Sequence, residues 1–141
     1  MEEFINFAAR NYYLFIALAA VIAIILWTEM RRVTQGYKEI APAEAVLLIN
    51  KQNALVLDIR EANEQAQGSI IGAKHIALSV LAQNIDSLSA EKEKPILVFC
   101  KMGNRSSQAS KQLLKNNYTQ VFSLKGGINA WINDQLPVTK K

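Results

Sequence analysis

The stretch Pro95-Ile96-Leu97-Val98-Phe99-Cys100-Lys101-Met102-Gly103-Asn104-Arg105-Ser106-Ser107 decides how this chain is read. PILVF is a short continuous apolar run, the pattern of a strand buried on both faces. It stops at Cys100, the sole cysteine, and a polar segment follows. From Ser106 to Asn117 the apolar residues Ala109, Leu113 and Leu114 recur at helical spacing, which predicts a helix over 106–117. A strand therefore delivers a cysteine into a tight loop with a helix immediately after.

That arrangement makes an anion cradle. Loop N–H groups can turn inward, and the first helical turn adds unpaired donors and a positive dipole end. Gly103 allows a backbone conformation that other residues avoid. A thiolate held there gains hydrogen bonds and a favourable field, aided by Lys101 and Arg105, and needs no histidine base. The competing reading is a cysteine that fills the core. Strand, glycine and helix in that order favour the functional one.

Working outward, residues 43–50 after Pro42 (AEAVLLIN) carry apolar side chains at helical spacing, and 54–57 form a second apolar run ending at Asp58. A strand is expected around 70–76, a helix over 78–88, and a third buried strand over 121–124, followed by Gly126-Gly127. Short apolar strands alternating with helices predict an α/β domain, a parallel sheet flanked by helices on both faces. Ligands of such sheets gather beyond the carboxyl ends of the strands, where Asp58, Cys100 and Gly126 fall.

Towards the N-terminus, eighteen residues between Arg10 and Glu29 carry no charge. As a helix they reach roughly 27 Å, about the hydrocarbon thickness of a bilayer. Tyr12, Tyr13 and Trp27 stand at its ends, where amphipathic rings prefer the headgroup level. The acidic start and the exit into Thr28-Glu29-Met30-Arg31-Arg32 do not suit a cleaved signal. The expected organisation is a tail and membrane anchor over 1–32, a linker over 33–37 and a domain over 38–141. Arg31, Arg32 and Lys38 against Arg10 alone place the C-terminal side in the cytoplasm. The expected location is the bacterial inner membrane, single-pass, with the N-terminus outside.

The net charge of +4 is mild and forms no basic block of the kind that tracks nucleic acid. It suits a small anionic substrate or an anionic lipid face. A lone cysteine makes no internal disulfide.

Cys100-Lys101-Met102-Gly103-Asn104-Arg105-Ser106 resembles the active-site loop of rhodanese-type sulfurtransferases, C-x-x-G-x-R-S. The resemblance spans about 38–138. Asp58, Arg60 and Glu64 fit the family's D-x-R-x-x-x-E segment, 68–73 its G-H-I-x-G-A stretch, and 126–131 its G-G-x-x-x-W close. It implies a Cys100 persulfide as the only carrier, with no cofactor and no metal. Sulfur would come from a thiosulfate-like anionic donor and leave to a thiol, cyanide or carrier-protein acceptor. Lys101, Met102, Gly103, Asn104, Arg105 and Ser106 would form the substrate loop, Arg105 closing it. Phosphatases of this fold carry C-x5-R, one residue longer, so the shorter loop here implies a cradle for a single sulfur atom. Asp58 and Arg60 are either substrate contacts or an internal ion pair. Ser69 stands where the family often has histidine, and His75 reads as a strand-end residue. The alternative function is an interaction module for a membrane-protein partner, with catalysis secondary.

Overall fold

A computed structural model of the chain describes residues 1–140, with the backbone alone for Arg32 and Val33; Lys141, where the expected domain ends, lies outside the described residues. Two compact units result, Met1–Gln35 and Gly36 onward.

The first unit holds α1 (Glu2–Arg10) and α2 (Tyr12–Val33). The expected tail is thus helical. Phe4, Phe7 and Ala8 recur at helical spacing, with Glu2 and Glu3 in the first turn and Arg10 in the last, which complements the helix dipole. Asn11 ends α1, its side-chain amide and its backbone N–H both donating to the Phe7 carbonyl at 2.9 and 3.0 Å. Within α2, Tyr12–Arg31 has mean hydropathy 2.2, with none of that apolar window buried. By length and composition it could cross a membrane. Glu29, Met30 and Arg31 are good helix formers and carry α2 one residue beyond the expected anchor end at 32.

In the second unit, β1 (Lys38–Ile40), α3 (Pro42–Gln52), β2 (Leu55–Asp58), α4 (Ala62–Gln65), β3 (Ser69–Ile70), β4 (Lys74–His75) and α5 (Leu78–Asn84) follow one another. A 3₁₀ turn (Ile85–Glu91) leads to β5 (Ile96–Phe99), α6 (Asn104–Lys115), β6 (Val121–Leu124), α7 (Gly127–Asn133) and β7 (Val138–Thr139). Five strands form a parallel sheet in the order β1-β6-β5-β2-β4, so β5 lies at its centre. Asp58 registers with Phe99, and Ile96 with Val121.

All four residues of β5 are fully buried, as a central parallel strand requires. Their side chains alternate between two cores. Ile96 and Val98 pack with Leu57, Leu81, Leu113 and Tyr118, and Cys100 continues this face. Leu97 and Phe99 pack with Val56, Ala45, Leu48, Ile128 and Trp131 on the other. Helices therefore cover both faces of the sheet.

Several details depart from the expectation. The strand expected over 70–76 is two, β3 and β4, parted at Gly72, which has φ +77°. β3 leaves the main sheet and pairs antiparallel with β7. The helix expected over 78–88 gives way to the 3₁₀ turn at Ile85. α6 starts two residues earlier than expected, at Asn104, because Gly103 takes a left-handed conformation (φ +104°) at its N-cap. Asn104, Arg105 and Ser106 consequently belong to the helix's first turn.

Candidate active site

Cys100 is the first residue beyond β5 and is 1% exposed. Its loop is pinned from one side by the start of α7. The Ile128 N–H donates to the Cys100 carbonyl at 2.8 Å, and the Asn129 N–H to the Lys101 carbonyl at 3.2 Å. Such close approach explains Gly127. Any Cβ there would overlap the Cys100 carbonyl oxygen and come within 2.6 Å of the Lys101 carbonyl group. Inside the loop the Gly103 N–H donates to Cys100 Sγ at 3.0 Å. The sulfur thus already holds one backbone donor of an anion cradle.

The helix side of the loop is fastened by serines. Ser106 Oγ donates to the Gly103 carbonyl at 2.8 Å and lies 2.8 Å from Ser123 Oγ on β6. Lys101, Met102 and Asn104 are exposed at the loop tip.

Arg105 does not project freely towards a donor. Its Nη1 and Nη2 donate to the two carboxylate oxygens of Glu64, both at 2.7 Å. This fork holds the Glu64 carboxyl at about 2 instead of the ordinary 4.5, chiefly through the hydrogen bonds from Arg105 and against the opposing effect of burial. The Glu61 backbone N–H also donates to Glu64, at 3.1 Å. In return Glu64 raises the Arg105 pKa, with a smaller contribution from charge on Cys100. Arg105 therefore closes the loop onto the segment carrying Glu64. Nothing in the loop itself marks Glu64 as part of the site. The pair spans 41 residues, and the only sequence signal is the acidic position that ends D-x-R-x-x-x-E.

Asp58 and Arg60 are brought together and buried, 0% and 4% exposed. Asp58 accepts from the Arg60 backbone N–H (3.1 Å), Nε (2.9 Å) and Nη2 (2.7 Å), and from Ser69 Oγ (2.9 Å). Arg60 also donates to the carbonyls of Glu64 (3.2 Å) and Gly68 (2.7 Å) and sits over the Phe99 ring. The pair braces residues 61–68, the segment from which Glu64 reaches Arg105. At the end of β4, His75 Nε2 lies 2.6 Å from the Arg60 carbonyl oxygen and donates to it. It is engaged away from the sulfur, which receives its hydrogen bond from Gly103.

Residues 41–134 match the model of the rhodanese-like domain. The chain belongs to the rhodanese-like family. Relatives of this domain include YibN of Escherichia coli (strain K12), 33% identical over 141 residues, covering 99% of each chain. The thiosulfate sulfurtransferase GlpE of Coxiella burnetii (strain RSA 331 / Henzerling II) is 33% identical over 95 residues, covering 67% of this chain and 87% of that one. Among solved structures, a rhodanese-related protein from Thermoplasma volcanium superposes with a TM-score of 0.66 at 33% identity, covering 74% of this chain and all of the other. The rhodanese-like domain here thus holds its cysteine just beyond the carboxyl end of the central strand, with the Gly103 N–H donating to its sulfur.

Proposed function

We propose that this protein is a membrane-anchored sulfurtransferase that moves sulfane sulfur through a persulfide on Cys100. The Cys100 thiolate attacks the outer sulfur of a thiosulfate-like donor. The donor S–S bond breaks, sulfite leaves with the bonding pair, and Cys100 retains the outer sulfur. A thiol, cyanide or carrier protein then takes that sulfur and regenerates the thiolate, so no resident cofactor is required.

The observation that carries this reading is the Gly103 N–H directed at Cys100 Sγ at 3.0 Å, inside a loop of four residues between Cys100 and Arg105. Inward loop N–H groups stabilise negative charge on the thiolate and on the terminal persulfide sulfur alike. Family membership and the likeness to GlpE support sulfur transfer as the chemistry. The apolar part of α2 and the basic residues at and beyond its C-terminal end (Arg31, Arg32 and Lys38) support an anchor that leaves the domain on the cytoplasmic side of an inner membrane. The test is thiocyanate formation from thiosulfate and cyanide by the full-length protein. Cys100→Ser should abolish it, and a mutant as active as wild type would refute the mechanism.

A further inference from the structure

The short helix α1, ahead of the apolar span, has two sharply different sides. At about 100° per residue, Phe4, Ile5, Phe7 and Ala8 fall within an arc of roughly 160°. Glu2, Glu3, Asn6 and Arg10 gather within about 100° on the opposite side. No residue of α1 is buried, and Phe4, Ile5 and Phe7 are 67%, 62% and 56% exposed. Two aromatic rings and an isoleucine on one face form a contiguous apolar patch, which marks an interaction surface.

The connection to α2 says what lies against that patch. The helical ladder is interrupted at Asn11, whose backbone has φ −121° and ψ 29°. It starts again where the Leu14 N–H donates to the Asn11 carbonyl at 2.9 Å. α1 and α2 are therefore separate helices joined at one polar residue. The Tyr13 hydroxyl lies 3.5 Å from Asn11 Oδ1, and tyrosines at the end of an apolar span belong at headgroup level. That puts the joint, and with it the start of α1, at the bilayer surface.

Two placements of α1 then compete. As one rod, residues 2–33 would reach about 48 Å against a hydrocarbon core of about 30 Å, leaving the apolar face of α1 in water. Laid along the surface, α1 buries that face and keeps Glu2, Glu3, Asn6 and Arg10 in water, which is the lower-energy arrangement. Two carboxylates against one guanidinium give its polar side no basic excess, so the attachment rests on apolar contact and not on anionic headgroups.

Building on the membrane-anchor reading, we propose that α1 lies in the plane of the bilayer interface, with Phe4, Ile5 and Phe7 at the boundary of headgroups and acyl chains. It binds the lipid surface on the N-terminal side of the span and sets how deep α2 sits.

The test places one nitroxide label at a time on full-length Cys100→Ser protein in phosphatidylcholine vesicles. Label sites are Glu3→Cys, Phe4→Cys, Asn6→Cys, Phe7→Cys and Arg10→Cys, with Ala20→Cys as the mid-span reference. None of the α1 sites is packed in the fold, so the labels disturb no core. Electron paramagnetic resonance then compares collisions with oxygen, which concentrates in acyl chains, and with a water-soluble nickel chelate. The oxygen-to-chelate ratio should be several-fold higher at Phe4 and Phe7 than at Glu3, Asn6 and Arg10, and adding phosphatidylglycerol should leave the pattern unchanged. Uniform chelate access along α1 with an oxygen-rich Ala20 label overturns the proposal and spares the anchor. Labels at Phe4 and Phe7 shielded from both reagents mean a protein contact, and overturn it too. A pattern that appears only with phosphatidylglycerol refutes apolar attachment. Chelate access at Ala20 refutes the anchor itself, and the placement of α1 falls with it.

Discussion

Glu64→Gln keeps the size and shape of the side chain and removes the charge that holds Arg105. A carboxyl held at about 2 instead of 4.5 corresponds to roughly 3 kcal/mol in favour of the ionised form. The two side chains are 24% and 35% exposed, so solvent screening brings the pair's net contribution to about 1 kcal/mol. The sign of the pH dependence follows. The folded-state pKa lies below the unfolded one, so the stabilisation is complete at neutral pH, shrinks as pH drops below 4.5, and is gone below about 2. Urea denaturation of the full-length protein at pH 7 and pH 3, followed by circular dichroism, measures it. Wild type should exceed Glu64→Gln by about 1 kcal/mol at pH 7, and the gap should narrow at pH 3. Sulfur transfer should fall about tenfold in the variant at pH 7, because an untethered Arg105 no longer fixes the loop around the sulfur. Equal stability at both pH values, with unaltered kcat/KM, would refute the idea that Glu64 holds the loop through Arg105.

Asp58→Ala should destabilise the domain by about 3–5 kcal/mol, since it leaves the buried Arg60 guanidinium without its counter-ion; urea unfolding reads the loss. Gly127→Ala should cost at least tenfold in kcat/KM, because a Cβ there displaces the backbone of Cys100 and Lys101. Gly72→Ala is the contrast: a Cβ there meets open space, so only the strain of φ +77° is felt. That variant should lose about 1–2 kcal/mol of stability and keep its activity.

What was legible in the sequence follows from what short windows record. β5 and β6 are buried on both faces, so their apolar runs announce them. Gly103 and the amphipathic α6 similarly frame the loop. β1 escapes because it is an edge strand with two of its three residues exposed, which leaves no apolar run to see. β3 and β4 run together in sequence because one glycine turn separates them, and only the partner strand β7, about 70 residues on, shows that they belong to different sheets. The same distance hides Glu64. Its charge is visible in the sequence, but its pairing with Arg105 exists only once β2 and β5 lie side by side and bring α4 and α6 to the same edge. For Asp58 and Arg60 the sequence offers substrate contacts or an internal ion pair; in the structure their hydrogen bonds go to each other, to Ser69 and to the backbone of 61–68.

The most direct measurement is intact mass spectrometry of the full-length protein after incubation with thiosulfate, with and without subsequent cyanide. Wild type should gain the mass of one sulfur atom, located on the peptide bearing Cys100, and lose it on cyanide treatment. Cys100→Ser should gain nothing. A wild-type protein that turns over thiosulfate without ever carrying that sulfur, or a serine variant that turns it over equally well, would contradict the account.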